Sequence, residues 1–276
     1  MRMLAVEMND VFSVFSAAMK GVLGPGWWST WPLSTRHAVG DVCSVVEGQL
    51  LSAGTLGSLG VSTPALDSPY RDAFTYDSAG SVVVTLKASG VTGPLFQALV
   101  DADAGAHLSF SRGRSVFAAF AGLRQAALEQ PHELAKPLVE LYFQRKWEPD
   151  WVAVTHILSA ESGTVLIAAN DGAEAELRLG VSAQQVGVGD LAGQVRLARS
   201  KSIGLDWFGD ADSTPFCRVA RLRKSWLGRI DADFAPRQKV KGLAPSDIPV
   251  RILQQAAEKP DDVVEMVNFS LPDPSV

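Results

Sequence analysis

The side chains best suited to chemistry are four histidines, two cysteines and three pairs of closely spaced aspartates. His132-Glu133 begins like a zinc-binding helix, but no second histidine follows one helical turn later to complete it. Asp101/Asp103, Asp210/Asp212 and Asp231/Asp233 could each offer oxygens to a hard cation. Acidic residues at that spacing are also ordinary in surface turns. Cys43 near His37 pairs a thiol with an imidazole, yet nothing marks a third group to orient them. His156, inside Val154-Thr-His-Ile157, reads as a sheet histidine rather than a general base. Gly187-Val-Gly-Asp-Leu-Ala-Gly193 misses the dinucleotide fingerprint by one residue and has no visible strand–helix–strand setting. There is no phosphate loop and no Gly-x-Ser-x-Gly elbow. The expectation is a protein with no catalytic centre, metal or cofactor.

Charge gives a different signal. The chain of 276 residues is 47% hydrophobic and carries a formal net charge of −5, which argues against a nucleic-acid partner. The charge is unevenly placed. Residues 191–229 hold eight Lys/Arg against three Asp, and residues 243–276 hold two against six Asp/Glu. A basic segment followed by an acidic tail lets the tail neutralise the body. Two distant cysteines suggest a reducing, cytoplasmic setting rather than a disulfide scaffold. No stretch approaches the roughly 20 apolar residues of a membrane-spanning helix.

The elements that carry these charges are mostly strands. Residues 151–205 form the organising stretch. Trp151 to Leu158 and Gly163 to Ala169 read as strands, Asn170-Asp171-Gly172 as a tight reversal, and Glu174 to Leu179 as the returning strand. In that return, Glu174, Glu176 and Arg178 alternate with Ala175, Leu177 and Leu179, the period of a strand with one apolar face. A second pair comprises Ser81–Lys87 and Ala106–Ser111, joined through a short apolar helix at 94–102. Residues 3–23 form an amphipathic helix ended by Gly24-Pro25-Gly26, and Trp27, Trp28 and Trp31 read as core packing, with a lipid-facing anchor as the alternative. Gly40 to Glu47 is expected as a short helix capped by Asp41, and 52–69 as an exposed loop. Residues 114–147 read as helical, with a stripe of Phe117, Phe120, Leu123 and Ala127 and a second helix after Gln130-Pro131. Ile248 to Glu258 reads as a helix capped by Ser246 or Asp247, and Val263 to Leu271 as extended. The fold class is α+β: a twisted, mostly antiparallel sheet with long hairpins, flanked by helices.

Several runs resemble the gasdermin family. Tyr70-Arg-Asp-Ala-Phe-Thr-Tyr-Asp-Ser-Ala-Gly-Ser-Val-Val-Val-Thr-Leu86 is similar to the family's run into its first inserting hairpin, and Glu129-Gln-Pro-His-Glu-Leu-Ala-Lys-Pro-Leu138 to its Gln/Pro-led helix. Val152-Ala-Val-Thr-His-Ile-Leu-Ser-Ala-Glu-Ser-Gly-Thr-Val165 resembles the strand into the second hairpin, and Phe216-Cys-Arg-Val-Ala-Arg-Leu222 the closing strand. The resemblance covers about residues 11–223. It implies a fold like the gasdermin N-terminal domain over residues 1–235, and a linker with a short autoinhibitory tail over 236–276, as in short-tailed bacterial members. It also implies activation by a protease, binding to anionic membrane lipids, self-oligomerisation, and hairpins that unfold into a pore in cell death or antiviral defence. The protein would be cytoplasmic when inactive and at the inner membrane afterwards. No cysteine precedes Cys43, so the N-terminal acylation site of many bacterial members is missing.

This reading assigns residues. Arg237, Lys239 and Lys241 are candidate cleavage sites for a trypsin-like or caspase-like protease. Val82, Val84, Leu86, Leu108, Phe110, Val165, Ile167, Leu177, Leu179, Val195 and Leu197 would face lipid in the hairpins. Arg199 and Lys201 share the parity of Val195 and Leu197, so either a β-bulge near Ala198 turns them from lipid or the segment stops at the interface, where they meet anionic headgroups. Arg2, Lys20, Arg218, Arg221, Arg223 and Lys224 would meet anionic headgroups. Ile252, Leu253, Ala256, Val263, Val267 and Phe269 would hold the tail down. The rival expectation is a soluble α+β binding or scaffold protein whose hairpins never leave the core.

Overall fold

Helix α1 (Arg2–Leu23) buries a stripe of Phe12, Phe15 and Met19, one and two turns apart, and stops where Gly24 takes φ 80°. The computed structural model describes residues 2–69, 72–78, 80–86, 106–179, 195–209, 213–234 and 244–268. Beyond α1 the described chain is dominated by strands. These are β1 (Trp28–Ser29), β2 (Asp41–Val46), β3 (Gln49–Thr55), β4 (Ala65–Asp67), β5 (Asp72–Asp77), β6 (Val82–Leu86), β7 (Ala106–Phe110) and β8 (Val116–Leu128). There follow β9 (Trp151–Ala160), β10 (Ser162–Ala168), β11 (Ala173–Leu179), β12 (Val195–Lys201), β13 (Ile203–Gly209), β14 (Ser213–Leu222) and β15 (Val264–Met266). Four further α-helices among the described residues are α2 (Ala135–Phe143), α3 (Lys224–Phe234), α4 (Val250–Glu258) and α5 (Pro260–Val263). The fold is α+β with an antiparallel sheet, as expected.

The strands form two sheets. The larger has eleven strands with the spine β1-β14-β9-β8-β10-β13, and the smaller runs β12-β11-β7-β6. The two are continuous. β5, β8, β10 and β13 of the large sheet continue, in the same lateral order, as β6, β7, β11 and β12 of the small one. The small sheet folds back over the large one along this crease. Leu108, Phe110, Ala175 and Leu177 thereby pack with Phe117, Ala119, Leu166 and Ala168 in one buried cluster. On the opposite face of the large sheet, α1, Trp28, Trp31, Val116, Ala118, Phe120, Val165 and Ile167 form a second core. A third lies where α2, α3 and α4 gather around Trp147, Tyr142 and Trp226.

Three expectations are corrected. Residues 116–128 are a strand, not a helix. Val116, Ala118 and Phe120 enter one core while Phe117, Ala119 and Ala121 enter the other, a period of two. The phenylalanines three apart imitate a helical stripe only because both faces of this central strand are buried. The second helix of that stretch, after Gln130-Pro131, does form as α2. Residues 41–46 are a strand as well. Glu47 and Gly48, at φ 50° and 78°, make a two-residue hairpin turn into β3, which also replaces part of the expected 52–69 loop. Finally, β10 and β11 do not pair with each other. β10, buried along its whole length, lies between β8 and β13, whereas β11, half exposed, lies between β7 and β12. The Asn170–Gly172 segment is thus a turn from one sheet to the other. The expected helix at 94–102 lies outside the described residues.

Candidate functional site: the docked tail and the folded-back sheet

β14 has a free edge beyond β1, and the chain's own tail covers it. Val264, Glu265 and Met266 of β15 pair with Leu222, Arg221 and Ala220. The amide of Val267 donates to the carbonyl of Val219 at 2.9 Å, and that of Arg223 to Val263 at 2.8 Å. The Trp28 indole, buried beside this edge, donates to the Val267 carbonyl at 2.8 Å. Ahead of the strand, α4 sets Ile252 and Ala256 into the helical core with Ile248 and Val263, while Leu253 is partly buried against it. Pro249 caps α4 without a side-chain bond, so the expected Ser246 or Asp247 cap does not form. Phe269 and the cleavage candidates Arg237, Lys239 and Lys241 lie outside the described residues.

The electrostatics of the edge are paired. Arg221 Nε meets Glu265 Oε1 at 2.9 Å and Arg223 Nη1 meets Glu265 Oε2 at 3.6 Å, so one tail carboxylate holds two body guanidiniums. Arg223 Nε also donates to the Asp261 carbonyl at 2.6 Å. Lys224 Nζ lies 3.2 Å from Asp150, and the Arg218 guanidinium stacks over Trp27 at 4.6 Å. Arg218, Arg221, Arg223 and Lys224 are therefore brought to one region around β14. Lys20 stands exposed on α1, and the Arg2 side chain is outside what is described.

The residues assigned to the lipid face are divided between the two faces of the large sheet. Val82, Leu108, Phe110 and Leu177 lie in the fold-back interface, with Leu197 partly buried there, whereas Val165 and Ile167 point into the α1 core. Among the described side chains no single apolar face joins them, because the crease resets which side each path presents. Val84 is exposed on β6. Leu86, Leu179 and Val195 lie in β6, β11 and β12. The pairing of β11 with β12 passes from Glu176↔Arg199 to Leu177↔Leu197 and skips Ala198. A bulge at Ala198 is one of the two ways expected to resolve the parity of Arg199 and Lys201. It sets both on register with Glu176 and Glu174.

The chain is similar to a bacterial gasdermin. The solved structure in question, from Bradyrhizobium tropiciagri, matches at 13% identity and a TM-score of 0.32, covering 72% of this chain and 82% of that one. No family model and no curated protein matches the chain.

The chemical candidates among the described residues take structural positions, while Asp101/Asp103, Asp210/Asp212 and the glycines of 187–193 lie outside the described residues. Burial, with Asp41 adding to it, pushes the Cys43 thiol up to about 12, and burial raises Cys217 as well, so neither supplies a thiolate near neutrality. His37 is buried with Nδ1 3.5 Å from Asp41, while Thr214 Oγ1 bonds only its backbone. Asp231 accepts from the Tyr142 hydroxyl at 2.6 Å, tying α3 to α2. Among the described residues no group of three or more His, Cys, Asp and Glu could hold a metal ion. Sequence reasoning missed Glu265 and Trp28 as the tail's anchors. The signal for Glu265 was its place amid Val263-Val-Glu-Met-Val267, an alternation opposite in charge to Arg221-Leu-Arg223.

Proposed function

We propose that this is a non-enzymatic, autoinhibited pore-forming protein, as its sequence resemblance to gasdermins implies. The observation that carries the reading is the fold-back: four strand paths run in one lateral order through both sheets, with apolar side chains enclosed between them. Straightened, the path from Ala106 through Ala121 exceeds the roughly 9–11 residues that cross a bilayer as a strand. The enclosed face could then exchange one apolar environment for another, which is why lipid rather than water favours opening.

The docked tail is the inhibitor. It occupies the edge and neutralises Arg221 and Arg223, which, with Arg218, Lys224, Arg2 and Lys20, are assigned to anionic lipid. Burial of Ile248, Ile252, Val263 and Val267 contributes at most about 1.5–3 kcal/mol each. Tethering makes modest docking sufficient, and a trypsin-like or caspase-like cut near Arg237, Lys239 or Lys241 converts it to a dissociable contact. Self-assembly has a physical basis too. Among the described residues β6 and β12 each pair on one side only, Asp77 is exposed beside one edge, and Arg199 and Lys201 beside the other. Copies joined edge to opposite edge make a heterologous contact that can close into a ring. Cytoplasmic storage, action at the inner membrane, and a role in cell death or antiviral defence follow from the same reading.

The test is dye release from phosphatidylglycerol and phosphatidylcholine vesicles by the intact chain and by the chain nicked with trypsin. Release by the nicked chain alone, stronger on the anionic vesicles, is the expected result. A nicked chain that sheds residues 244–268 and stays inert on both would return the protein to the soluble binding or scaffold class.

A further inference from the structure

Among the described residues, each of the four strand paths crosses the crease through one residue in the left-handed backbone region. They are Gly80 at φ 67° between β5 and β6, Arg114 at 60° between β7 and β8, Gly172 at 68° between β10 and β11, and Ser202 at 55° between β12 and β13. Glycine takes this conformation freely, whereas an L side chain crowds its own carbonyl there. The first hairpin (β5–β8) and the second (β10–β13) thus each contain one relaxed turn, at glycine, and one strained turn, at Arg114 or Ser202. A Cβ built at Gly80 or Gly172 meets nothing within 4 Å, so glycine stands there for its backbone freedom and not for want of space.

The strained turns are held closed by two hydrogen bonds between the hairpins, at Arg114 and Ser115, and by one within the second hairpin, at Ser202. Arg114 N–H donates to Ala168 O at 2.8 Å, Ala168 N–H to Ser115 O at 3.0 Å, and Ala169 N–H to Ser202 O at 2.9 Å. The next amide, Gly113 N–H, donates instead to the Asp171 carboxylate at 2.7 Å. Within the first hairpin, Val116 N–H donates to Ser78 Oγ at 2.9 Å and Ser111 N–H to Ser81 O at 2.8 Å. Polar groups are therefore satisfied across a bend where ladder pairing is interrupted.

We propose that this crease is a loaded hinge: Arg114 and Ser202 store backbone strain that straightening releases, and the Asp171–Gly113 bond is the latch that opposes it. The proposal rests on the pore-forming reading for its purpose, but the hinge itself can be judged without a membrane. An extended strand removes the left-handed conformation at all four positions together, so the paths open as one unit. The sign of each substitution follows. Arg114→Gly and Ser202→Gly unload the hinge and keep it shut. Gly80→Val and Gly172→Val load it further, and Asp171→Ala unlatches it, whereas Asp171→Asn retains an acceptor oxygen.

Hydrogen exchange on the intact chain reads the opening directly. The amides of Gly113, Arg114, Ala168 and Ala169 should exchange together, below the threshold of global unfolding. Opening should be about tenfold more frequent with Gly172→Val and about tenfold rarer with Ser202→Gly. Asp171→Ala should accelerate it and Asp171→Asn restore it. Release rates of the protease-nicked variants should follow the same order, while Leu138→Ala, a helical-core variant chosen to match the thermal loss of Gly172→Val, should not speed release. Exchange of these amides only on global unfolding, or Gly172→Val behaving like Leu138→Ala, overturns the hinge. Ordered exchange without release from any vesicle leaves the hinge standing and defeats the pore reading instead.

Discussion

The indole N–H of Trp28 donates to the carbonyl of Val267 across 239 residues of sequence, at 2.8 Å and away from solvent. One residue from the N-terminal third thus anchors the end of the tail strand, and β1 and β15 lie along the same edge of β14. Trp28→Phe keeps an aromatic ring but leaves the Val267 carbonyl without this partner, at about 1–3 kcal/mol. The tail should dissociate faster after nicking, and size-exclusion of the trypsin-treated variant should recover less tail with the body.

Glu265 holds Arg221 and Arg223 at a partly exposed position, where an ion pair is worth about 1 kcal/mol or less. Glu265→Gln should therefore leave the melting temperature nearly unchanged. Its effect should appear in binding of the uncut chain to phosphatidylglycerol vesicles at low salt, rising above parent and vanishing as salt is added. Equal binding at every salt concentration would remove these arginines from the lipid site.

His156 opposes Arg218 on β14 and Ala127 on β8, with Nδ1 3.0 Å from Thr155 Oγ1. Burial, and then Arg218, lower its pKa below the ordinary 6.5. The folded state therefore prefers neutral imidazole. Above 6.5 both folded and unfolded chains hold it neutral and stability is intact; as pH falls below 6.5 the unfolded chain takes the proton first and stability drops. Urea titrations between pH 7.5 and 5.5 (about one unit either side of the ordinary value) should show this loss, and His156→Gln should reduce its slope.

Leu108 is fully buried between the two sheets. Leu108→Ala should cost about 2–5 kcal/mol in urea unfolding, because the creased sheet cannot collapse onto the space. Val83→Ala, on the exposed side of β6, should change stability by less than about 0.5 kcal/mol. Similar losses for both would mean that the small sheet does not depend on the fold-back.

Local pattern made much of this legible. The amphipathic α1, the helix after Gln130-Pro131, the helical and extended parts of the tail, and the β6–β7 pairing all follow from periodicity and punctuation. Phe117 and Phe120 misled because a strand buried on both faces loses the alternation that marks one-sided burial. Asn170-Asp171-Gly172 was readable as a turn, but whether flanking strands pair with each other or enter separate sheets depends on β7, β8, β12 and β13, distant in sequence. Trp28 was readable as a core residue, but not as the tail's anchor: an indole's need for an acceptor is local, and the identity of the acceptor is not.

The edge of β14 has a history as well as a structure. A ribosome finishes Leu222 well before it reaches Val264, and at about 5–20 residues per second the interval is on the order of 2–8 s. During it, a newborn body can assemble β14, β9 and β8 while the part of the far edge beyond β1 is still uncovered. Every molecule would thus pass through an unguarded infancy. The danger would be greatest where translation stalls or a message is broken between those codons, and a cell making this protein would gain by reading that stretch without pause.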